Sequence, residues 1–194
     1  MTRQLFDATG KRKYLTPAER DAFLKAAEKA PREVRTFGGV LAHTGCRLSE
    51  ALALAADRVD LAAGVVILES LKKRQRGVYR AVPVPPALLD ALDVVHGVRE
   101  AQHGRDAGRN KVLWTWGRTT AWKRVKEVME AAGIPAGPWA SPKGLRHGFG
   151  AKGVTSPVPL NLVQRWLGHA QVATTAIYAD AVGEEERTIA ARLW

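Results

Sequence analysis

Two runs of β-branched residues interrupt a chain whose apolar side chains otherwise recur at helical spacing. Residues 64–69 and residues 78–83 each have the composition and length of a strand, and Pro83 and Pro85 end the second run. Because only a short polar connection separates the two runs, they predict an antiparallel hairpin. The remaining apolar patterns predict helices. We therefore expect an α+β fold that is mainly helical and carries a small antiparallel β-hairpin sheet.

Caps and glycines mark where several helices begin and end. Thr16, Pro17 and Glu19 form a capping box with proline at the first helical position, so a helix begins there. A second helix ends at Gly45, because glycine adopts the left-handed conformation at low steric cost. Residues 97–110 are polar and predict a surface loop. Further helices are predicted at about residues 88–95, 119–132, 143–152, 160–167 and 184–193.

The charge balance favours a polyanionic partner. The 194 residues include 30 Lys and Arg against 19 Asp and Glu, which gives a formal net charge of +11. Side chains that neutralise phosphates release counterions, and this release drives binding to nucleic acid. A basic domain without such a partner is the alternative. We expect residues 1–15 to form a flexible basic arm and residues 16–194 to form one domain.

Several classes of protein are excluded by what the sequence lacks. Cys46 is the one cysteine, which rules out an internal disulfide and fits the reducing cytoplasm, where we expect the protein to reside. No apolar run approaches the roughly 18 residues of a membrane helix, and residues 1–10 lack the apolar core of a signal peptide. The five histidines are scattered and have no cysteine partners, so no metal site is expected.

Four short stretches carry residues suited to chemistry. Residues 44–50 read Thr-Gly-Cys-Arg-Leu-Ser-Glu, and residues 71–74 read Leu-Lys-Lys-Arg. Residues 143–147 read Lys-Gly-Leu-Arg-His, and residues 167–169 read Leu-Gly-His, with Tyr178 nine positions after the histidine. Taken alone, each stretch has an ordinary structural explanation, such as an ion pair within a helix, a solvated cationic loop or a packed tyrosine.

In this order and spacing, the four stretches resemble the active-site boxes of the tyrosine recombinases, the phage integrase family. The chain is similar to the short members that consist of the catalytic domain alone, and the resemblance covers about residues 15–190. It implies that residues 16–194 form a tyrosine recombinase catalytic domain. The catalytic residues that it implies are Arg47, Lys72, Lys143, Arg146, His169 and Tyr178.

The resemblance implies transesterification at a DNA phosphodiester, with no metal and no other cofactor. Tyr178 would attack the phosphorus, which gives a 3′-phosphotyrosine and a free 5′ hydroxyl. Arg47 and Arg146 would bind the non-bridging oxygens, whose negative charge grows in the transition state. His169 would donate a further hydrogen bond to the phosphate, and Lys72 would protonate the departing 5′ oxygen.

Two role assignments stay open. Where the family pattern has a histidine, this chain has Lys143, and a lysine is protonated at neutral pH. Lys143 would therefore donate to the phosphate rather than accept the tyrosine's proton, and His147, one helical turn away, is the rival base. Lys73 is close enough to Lys72 to serve as the acid in its place.

Other positively charged and acidic residues would support the site. Glu50 can hold the Arg47 guanidinium in one orientation, although an ordinary ion pair explains that spacing equally well. The helix at residues 119–132 is expected to face inward with Trp122, Val125 and Val128. The predicted DNA contacts come from the hairpin turn and from the outward face of that helix: Lys73, Arg74, Arg76, Lys123 and Arg124.

The expected partner is double-stranded DNA, and no membrane partner is expected. The resemblance implies other protomers in a synaptic tetramer, and accessory DNA-bending proteins are a further partner class that it allows. The expected function is site-specific recombination by integration, excision or inversion. Three alternatives remain: a catalytically silent DNA-binding regulator, which Lys143 hints at, a type IB topoisomerase-like enzyme that nicks and reseals one duplex, and a fragment of a longer recombinase.

Overall fold

The computed structural model describes residues 5–71, 77–104, 110–156, 158–180 and 191. Helices dominate these residues, and one small sheet lies beside them, as the apolar pattern predicted. The helices are α1 (Pro17–Ala27), α2 (Arg32–Thr44), α3 (Leu48–Leu52), α4 (Pro86–His96), α5 (Val98–His103), α6 (Arg118–Ala131), α7 (Pro142–Thr155), α8 (Leu160–Leu167) and α9 (Ala173–Ala176). The predicted helix at residues 184–193 lies almost wholly outside the described residues.

The helix ends follow local rules. The capping box before α1 is confirmed: the Thr16 hydroxyl accepts from the Glu19 amide at 3.2 Å, and the Glu19 carboxylate accepts from the Thr16 amide at 2.9 Å. Helix α2 ends at Gly45, whose φ of +60° is the left-handed conformation that was predicted there. The chain then continues from Gly45 into the segment that carries Arg47.

The sheet contains the predicted hairpin and one further short strand. Strands β1 (Val59–Asp60), β2 (Val65–Glu69) and β3 (Tyr79–Pro83) are antiparallel and lie in that order. The β2–β3 pairing confirms the hairpin, whereas β1 has only two residues and no β-branched run in the sequence indicated it. In β3, Arg80 and Val82 both lie on the buried face of the sheet. A charged side chain is thus placed where the alternation of a strand calls for an apolar one.

The prediction of a surface loop at residues 97–110 is wrong for the first half of this range. Helix α5 follows Gly97 directly, and Val98 in its first turn is fully buried. The Gln102 amide donates to the carbonyls of Ala56 and Val59, at 2.7 Å each, which ties α5 to the segment leading into β1. Long-range contacts of this kind stabilise a helix that its own polar sequence does not indicate.

The N-terminal segment was expected to be a flexible arm, but residues 5–15 pack on the domain. Leu5 and Leu15 are buried, at 2% and 1% exposure. The Lys13 amide donates to the Leu5 carbonyl at 2.7 Å, and the Leu15 amide donates to the carbonyl of Gly144 in α7 at 3.2 Å. Burial of the two leucines explains why this basic segment is held in place.

The residues of helix α6 that face the core differ in part from those predicted. Val125 and Val128 are buried as expected, but Trp122 is 45% exposed, and Ala121 takes the inward position instead. Lys123 and Arg124 are exposed, as predicted. Because Trp122 is one residue away from the buried stripe, its indole is turned about 100° around the helix. That rotation places it at the edge of a cavity rather than in the core.

Among the described residues, none of the helices combines the length and the apolar character that crossing a lipid bilayer requires. The described residues also contain no cluster of His, Cys, Asp or Glu that could hold a metal ion.

Candidate active site

A cavity of about 370 Å³ lies between α3, α6, α7 and the segment from His169 to Tyr178. The structure brings six of the residues singled out in the sequence to the walls of this one cavity: Arg47, Lys143, Arg146, His147, His169 and Tyr178. Three separate sequence stretches supply these groups, so their meeting is a property of the fold rather than of local spacing. Five of the six, all except Tyr178, are side chains that are cationic or become so on the protonation of an imidazole.

Arg47 is held by a carboxylate behind it. It precedes α3 as the N-cap residue, and its Nη1 donates to Glu50 Oε1 at 2.6 Å, which confirms the expected pair. The Arg47 amide donates to Glu50 Oε2 at 3.0 Å. The Glu50 side chain is fully buried, whereas one quarter of the Arg47 side chain is exposed at the cavity. The guanidinium therefore lines the cavity while Glu50 fixes its orientation from the protein interior.

Glu50 has a second cationic partner that the sequence analysis did not include. Arg80 Nη2 donates to Glu50 Oε2 at 2.6 Å, and the Arg80 side chain is only 4% exposed. Burial by itself would raise the pKa of the Glu50 carboxyl. Arg80, the Arg47 amide and the Arg47 guanidinium outweigh that effect and hold the pKa below its usual value. Glu50 is therefore a carboxylate at neutral pH.

Arg146 is fixed by two helix C-termini. Its Nη1 donates to the carbonyl of Gly45 at the end of α2, and its Nη2 donates to the carbonyl of Leu167 at the end of α8, both at 2.7 Å. These carbonyls lack partners within their own helices and carry the negative end of the helix dipole. Burial, and next the charge of Arg47, lowers the pKa of Arg146 to about 10. The side chain remains cationic at neutral pH in a defined orientation.

Tyr178 lies in a short 3₁₀ turn, Ile177–Asp180, and is 1% exposed although it lines the cavity. Its hydroxyl is 3.1 Å from His147 Nδ1. The His169 ring stacks on the tyrosine ring, with centroids 6.2 Å apart and planes 12° from parallel. His169 Nδ1 lies 2.9 Å from the hydroxyl of Thr175, which fixes the imidazole from the other side.

The close packing of Tyr178 on α7 requires a glycine. A Cβ atom at Gly150 would lie 2.5 Å from two atoms of the tyrosine ring. Any larger residue at position 150 would therefore displace the ring. The glycines of α7 lower its helix propensity, but they let neighbouring segments approach its backbone.

Four predicted residues of the hairpin turn, Lys72, Lys73, Arg74 and Arg76, lie outside the described residues. The residues at the base of the hairpin are described, and they lie close to Glu50. The Ser70 hydroxyl accepts from Arg80 Nη1 at 3.3 Å, and Arg80 also donates to Glu50. The other two predicted DNA contacts, Lys123 and Arg124, lie on the exposed face of α6.

Sequence reasoning missed three residues of the site. Arg80 occupies an inward position in a strand of alternating burial, and a charge at such a position indicates a buried partner. Arg118 and Trp122 line the cavity from α6. The signal for Trp122 was available: Ala121, Val125 and Val128 form an apolar stripe without it.

Comparisons with known proteins give matches over most of the chain. The profile described as "Phage integrase family" matches residues 13–185. The tyrosine recombinase XerD of Mycobacterium tuberculosis (strain ATCC 25618 / H37Rv) is 37% identical over 145 residues, which are 72% of this chain and 45% of that protein. The tyrosine recombinase XerC of Azotobacter vinelandii is 31% identical over 173 residues, 89% of this chain and 54% of that protein. The chain thus spans about half the length of these curated relatives.

Solved structures show the same fold. The crystal structure of XerA recombinase superposes with a TM-score of 0.75 at 25% identity, over 92% of this chain and 64% of that chain. The XerH site-specific recombinase, solved bound to its difH substrate, superposes with a TM-score of 0.72 at 22% identity, over 97% of this chain and 59% of that chain.

Proposed function

The chain belongs to the phage integrase family, and on that premise we propose that it cuts and rejoins DNA as a site-specific tyrosine recombinase. The observation that carries the proposal is the convergence of Arg47, Arg146, His169 and Tyr178 on one cavity. The proposed reaction is a transesterification that conserves the energy of the phosphodiester bond, so it requires no nucleotide. Tyr178 Oη bonds to phosphorus, and the 5′ oxygen of the next nucleotide departs with a proton.

The two arginines have the placement that this reaction requires. A pentavalent phosphorus carries additional negative charge on its non-bridging oxygens, and prearranged cations stabilise that charge. Arg146 is held by two carbonyls and Arg47 by Glu50, so neither has to reorganise when the charge develops. We assign both arginines to the phosphate, with His169 as a further donor.

The tyrosine proton needs an acceptor. A phenol with a pKa near 10 is about one part in a thousand ionised at pH 7, which costs about 4 kcal/mol. His147 lies at hydrogen-bond distance from the Tyr178 hydroxyl, whereas Lys143 is exposed in the N-terminal turn of α7. This geometry supports His147 as the base and Lys143 as a phosphate contact. Because Tyr178 is almost fully buried, DNA must shift this segment to reach its oxygen.

The proton donor for the leaving group is proposed from the sequence. Lys72 is the candidate, and Lys73 is the alternative. The described base of the same hairpin, at Ser70, is bonded to Arg80 and so connected to Glu50 and Arg47.

We propose double-stranded DNA as the partner, contacted by Lys123 and Arg124 on α6 and by Lys73, Arg74 and Arg76 on the hairpin turn. The net charge of +11 supports this choice. XerH has been solved on its difH substrate and a lambda integrase dimer on a core site. By analogy, several protomers of this chain would assemble on DNA, and we assign residues 16–194 to the catalytic domain, with residues 5–15 packed on it.

Covalent trapping tests the proposal. The protein is incubated with duplexes covering the flanks of its own gene, each nicked near the candidate break so that the released fragment diffuses away. We expect a protein–DNA adduct on a denaturing gel, and we expect Tyr178→Phe to abolish the adduct while retaining DNA binding in a mobility shift. Binding without any adduct would instead favour a catalytically silent regulator.

A further inference from the structure

Arg80 lies outside the cavity, yet it contacts α3, which lines the cavity, and also the base of the β2–β3 hairpin and the end of α8, which leads into His169. Its Nη2 donates to Glu50 in α3 at 2.6 Å, its Nη1 to the Ser70 hydroxyl at 3.3 Å, and its Nε to the Trp166 carbonyl in α8 at 2.7 Å. It is not among the residues that line the cavity. All three guanidinium nitrogens of Arg80 therefore donate to other parts of the protein, and the side chain connects these parts with one another.

The turn that leads to His169 is shaped around this guanidinium. Gly168 has a φ of +65°, and a Cβ atom there would lie 3.1 Å from Arg80 Cζ and Nη1. The backbone at position 168 can therefore pass close to the Arg80 guanidinium, which also bonds to the Trp166 carbonyl. The position of the His169 ring thus depends on Arg80 through two residues that precede it in the chain.

The orientation of Arg47 also depends on Arg80, because both arginines bond to the Glu50 carboxylate. One carboxylate oxygen of Glu50 bonds to the Arg47 guanidinium, and the other bonds to Arg80 and to the Arg47 amide. If Arg80 were absent, Oε2 of Glu50 would keep only the Arg47 amide as a donor and would have room for a second bond, from the Arg47 guanidinium. A bidentate pair would then form and turn the guanidinium toward the protein interior, because paired donors match a carboxylate best.

We propose that Arg80 is a positioning residue for strand cleavage, which sets the orientation of Arg47 through Glu50 and the position of His169 through the Trp166 carbonyl. This inference rests on the proposed function for its kinetic consequence. Arg80→Met is expected to lower the rate constant for covalent adduct formation roughly a hundredfold, since displacements of about 1 Å have effects of that size. The Kd for DNA should change less than threefold.

A substrate whose scissile linkage is uncharged distinguishes a loss of correctly placed phosphate-binding groups from a general destabilisation of the fold by Arg80→Met. A methylphosphonate replaces one non-bridging oxygen with a methyl group, so it removes the charge that Arg47 would neutralise. Because Arg47 and His169 are both proposed to donate to the charged phosphate oxygens, most of the Arg80→Met defect should disappear on this substrate, as should that of Arg47→Ala. A defect that is equal on both substrates would overturn the proposal.

Two further variants guard against misfolding. Arg80→Met leaves Glu50 buried with one charged partner fewer, whereas the double variant Arg80→Met with Glu50→Gln leaves no excess buried charge. The double variant should fold and should be no faster than Arg80→Met, because Arg80 reaches Arg47 only through Glu50. Arg58→Met is the matched control: it removes an Arg–Glu pair of the same sheet, with Glu69 at 3.1 Å, and should cleave at the unaltered rate.

A measurement without DNA keeps this inference distinct from the proposed function. NMR titration of the Glu50 carboxyl in the free protein should show a higher pKa in Arg80→Met than in the unaltered chain, since a buried carboxylate has lost a cation. An unchanged Glu50 titration would overturn the inference whatever the cleavage result. Absence of any adduct from the unaltered chain would count against the recombinase function instead.

Discussion

The hydroxyl of Tyr178 lies 3.1 Å from Nδ1 of His147. These residues are 31 positions apart in the chain and are both buried. In the tautomer that carries its proton on Nε2, His147 Nδ1 accepts from the phenol, so this contact fits the proposed role of His147 as the base. It supports the proposal that His147 rather than Lys143 is the base, because Lys143 is exposed in the first turn of the same helix.

We predict that His147→Gln slows cleavage more than Lys143→Gln does. Glutamine can hydrogen-bond to the tyrosine but cannot take its proton, and loss of a general base typically lowers rates by about a hundredfold or more. Single-turnover cleavage measured across pH should lose one ionisation in His147→Gln and keep it in Lys143→Gln. The opposite result would assign the base to Lys143.

Arg146→Lys should lower the cleavage rate constant roughly a hundredfold or more, although the charge is kept. A lysine cannot donate to the Gly45 and Leu167 carbonyls in the planar arrangement of a guanidinium, so the cation is no longer held in place. Arg35→Met, which removes an exposed arginine paired with Glu28 at 3.3 Å, serves as a control and should cleave normally. Cleavage by Arg146→Lys at the unaltered rate would show that the fixed orientation is unimportant.

Gly150→Ala should destabilise the protein by about 1–3 kcal/mol, even though alanine is the better helix former. The added Cβ would meet the Tyr178 ring at 2.5 Å, so the ring must move. Gly117→Ala is the control, because a Cβ there meets no atom within 4 Å. Chemical denaturation measures both variants. A Gly150→Ala protein as stable as the unaltered chain would mean that Tyr178 does not pack on α7 in solution.

Acid should destabilise the fold partly through His43. Burial, and next the charge of Arg20, lowers the pKa of His43 from 6.5 to about 4. Between these two values the unfolded chain binds a proton that the folded chain does not, so stability is lost as pH falls from about 6.5 to 4. Thermal unfolding of His43→Gln should depend less on pH in this window. An identical pH dependence in both proteins would contradict the assignment.

The sequence predicted the parts of this fold that depend on local rules. The capping box at Thr16, the helix end at Gly45 and the β2–β3 hairpin were all read from residue types and spacing, and all are confirmed. The residues around the cavity were identified by resemblance to a family. Their assembly could not be derived from spacing, because the Arg146 contacts to Gly45 and Leu167 join segments 101 and 21 positions away.

The errors arise where distant contacts decide the outcome. Residues 5–15 look like a basic arm, but the burial of Leu5 and Leu15 holds them on the domain. Helix α5 depends on the bonds of Gln102 to a distant segment. Arg80 was overlooked because a charged residue in a strand is normally assigned to the solvent face. Its place next to Val82 in the alternation was the available signal.

The central claim is that Tyr178 forms a covalent bond with DNA phosphorus. The most direct measurement is mass spectrometry of the trapped adduct after digestion with nuclease and trypsin. The chain has three tyrosines, and trypsin would release Tyr178 in a peptide spanning residues 166–187, separate from Tyr14 and Tyr79. We predict a nucleotide attached through its 3′ phosphate to Tyr178 in that peptide. A nucleotide on Tyr14, on Tyr79 or on any other residue would contradict the account.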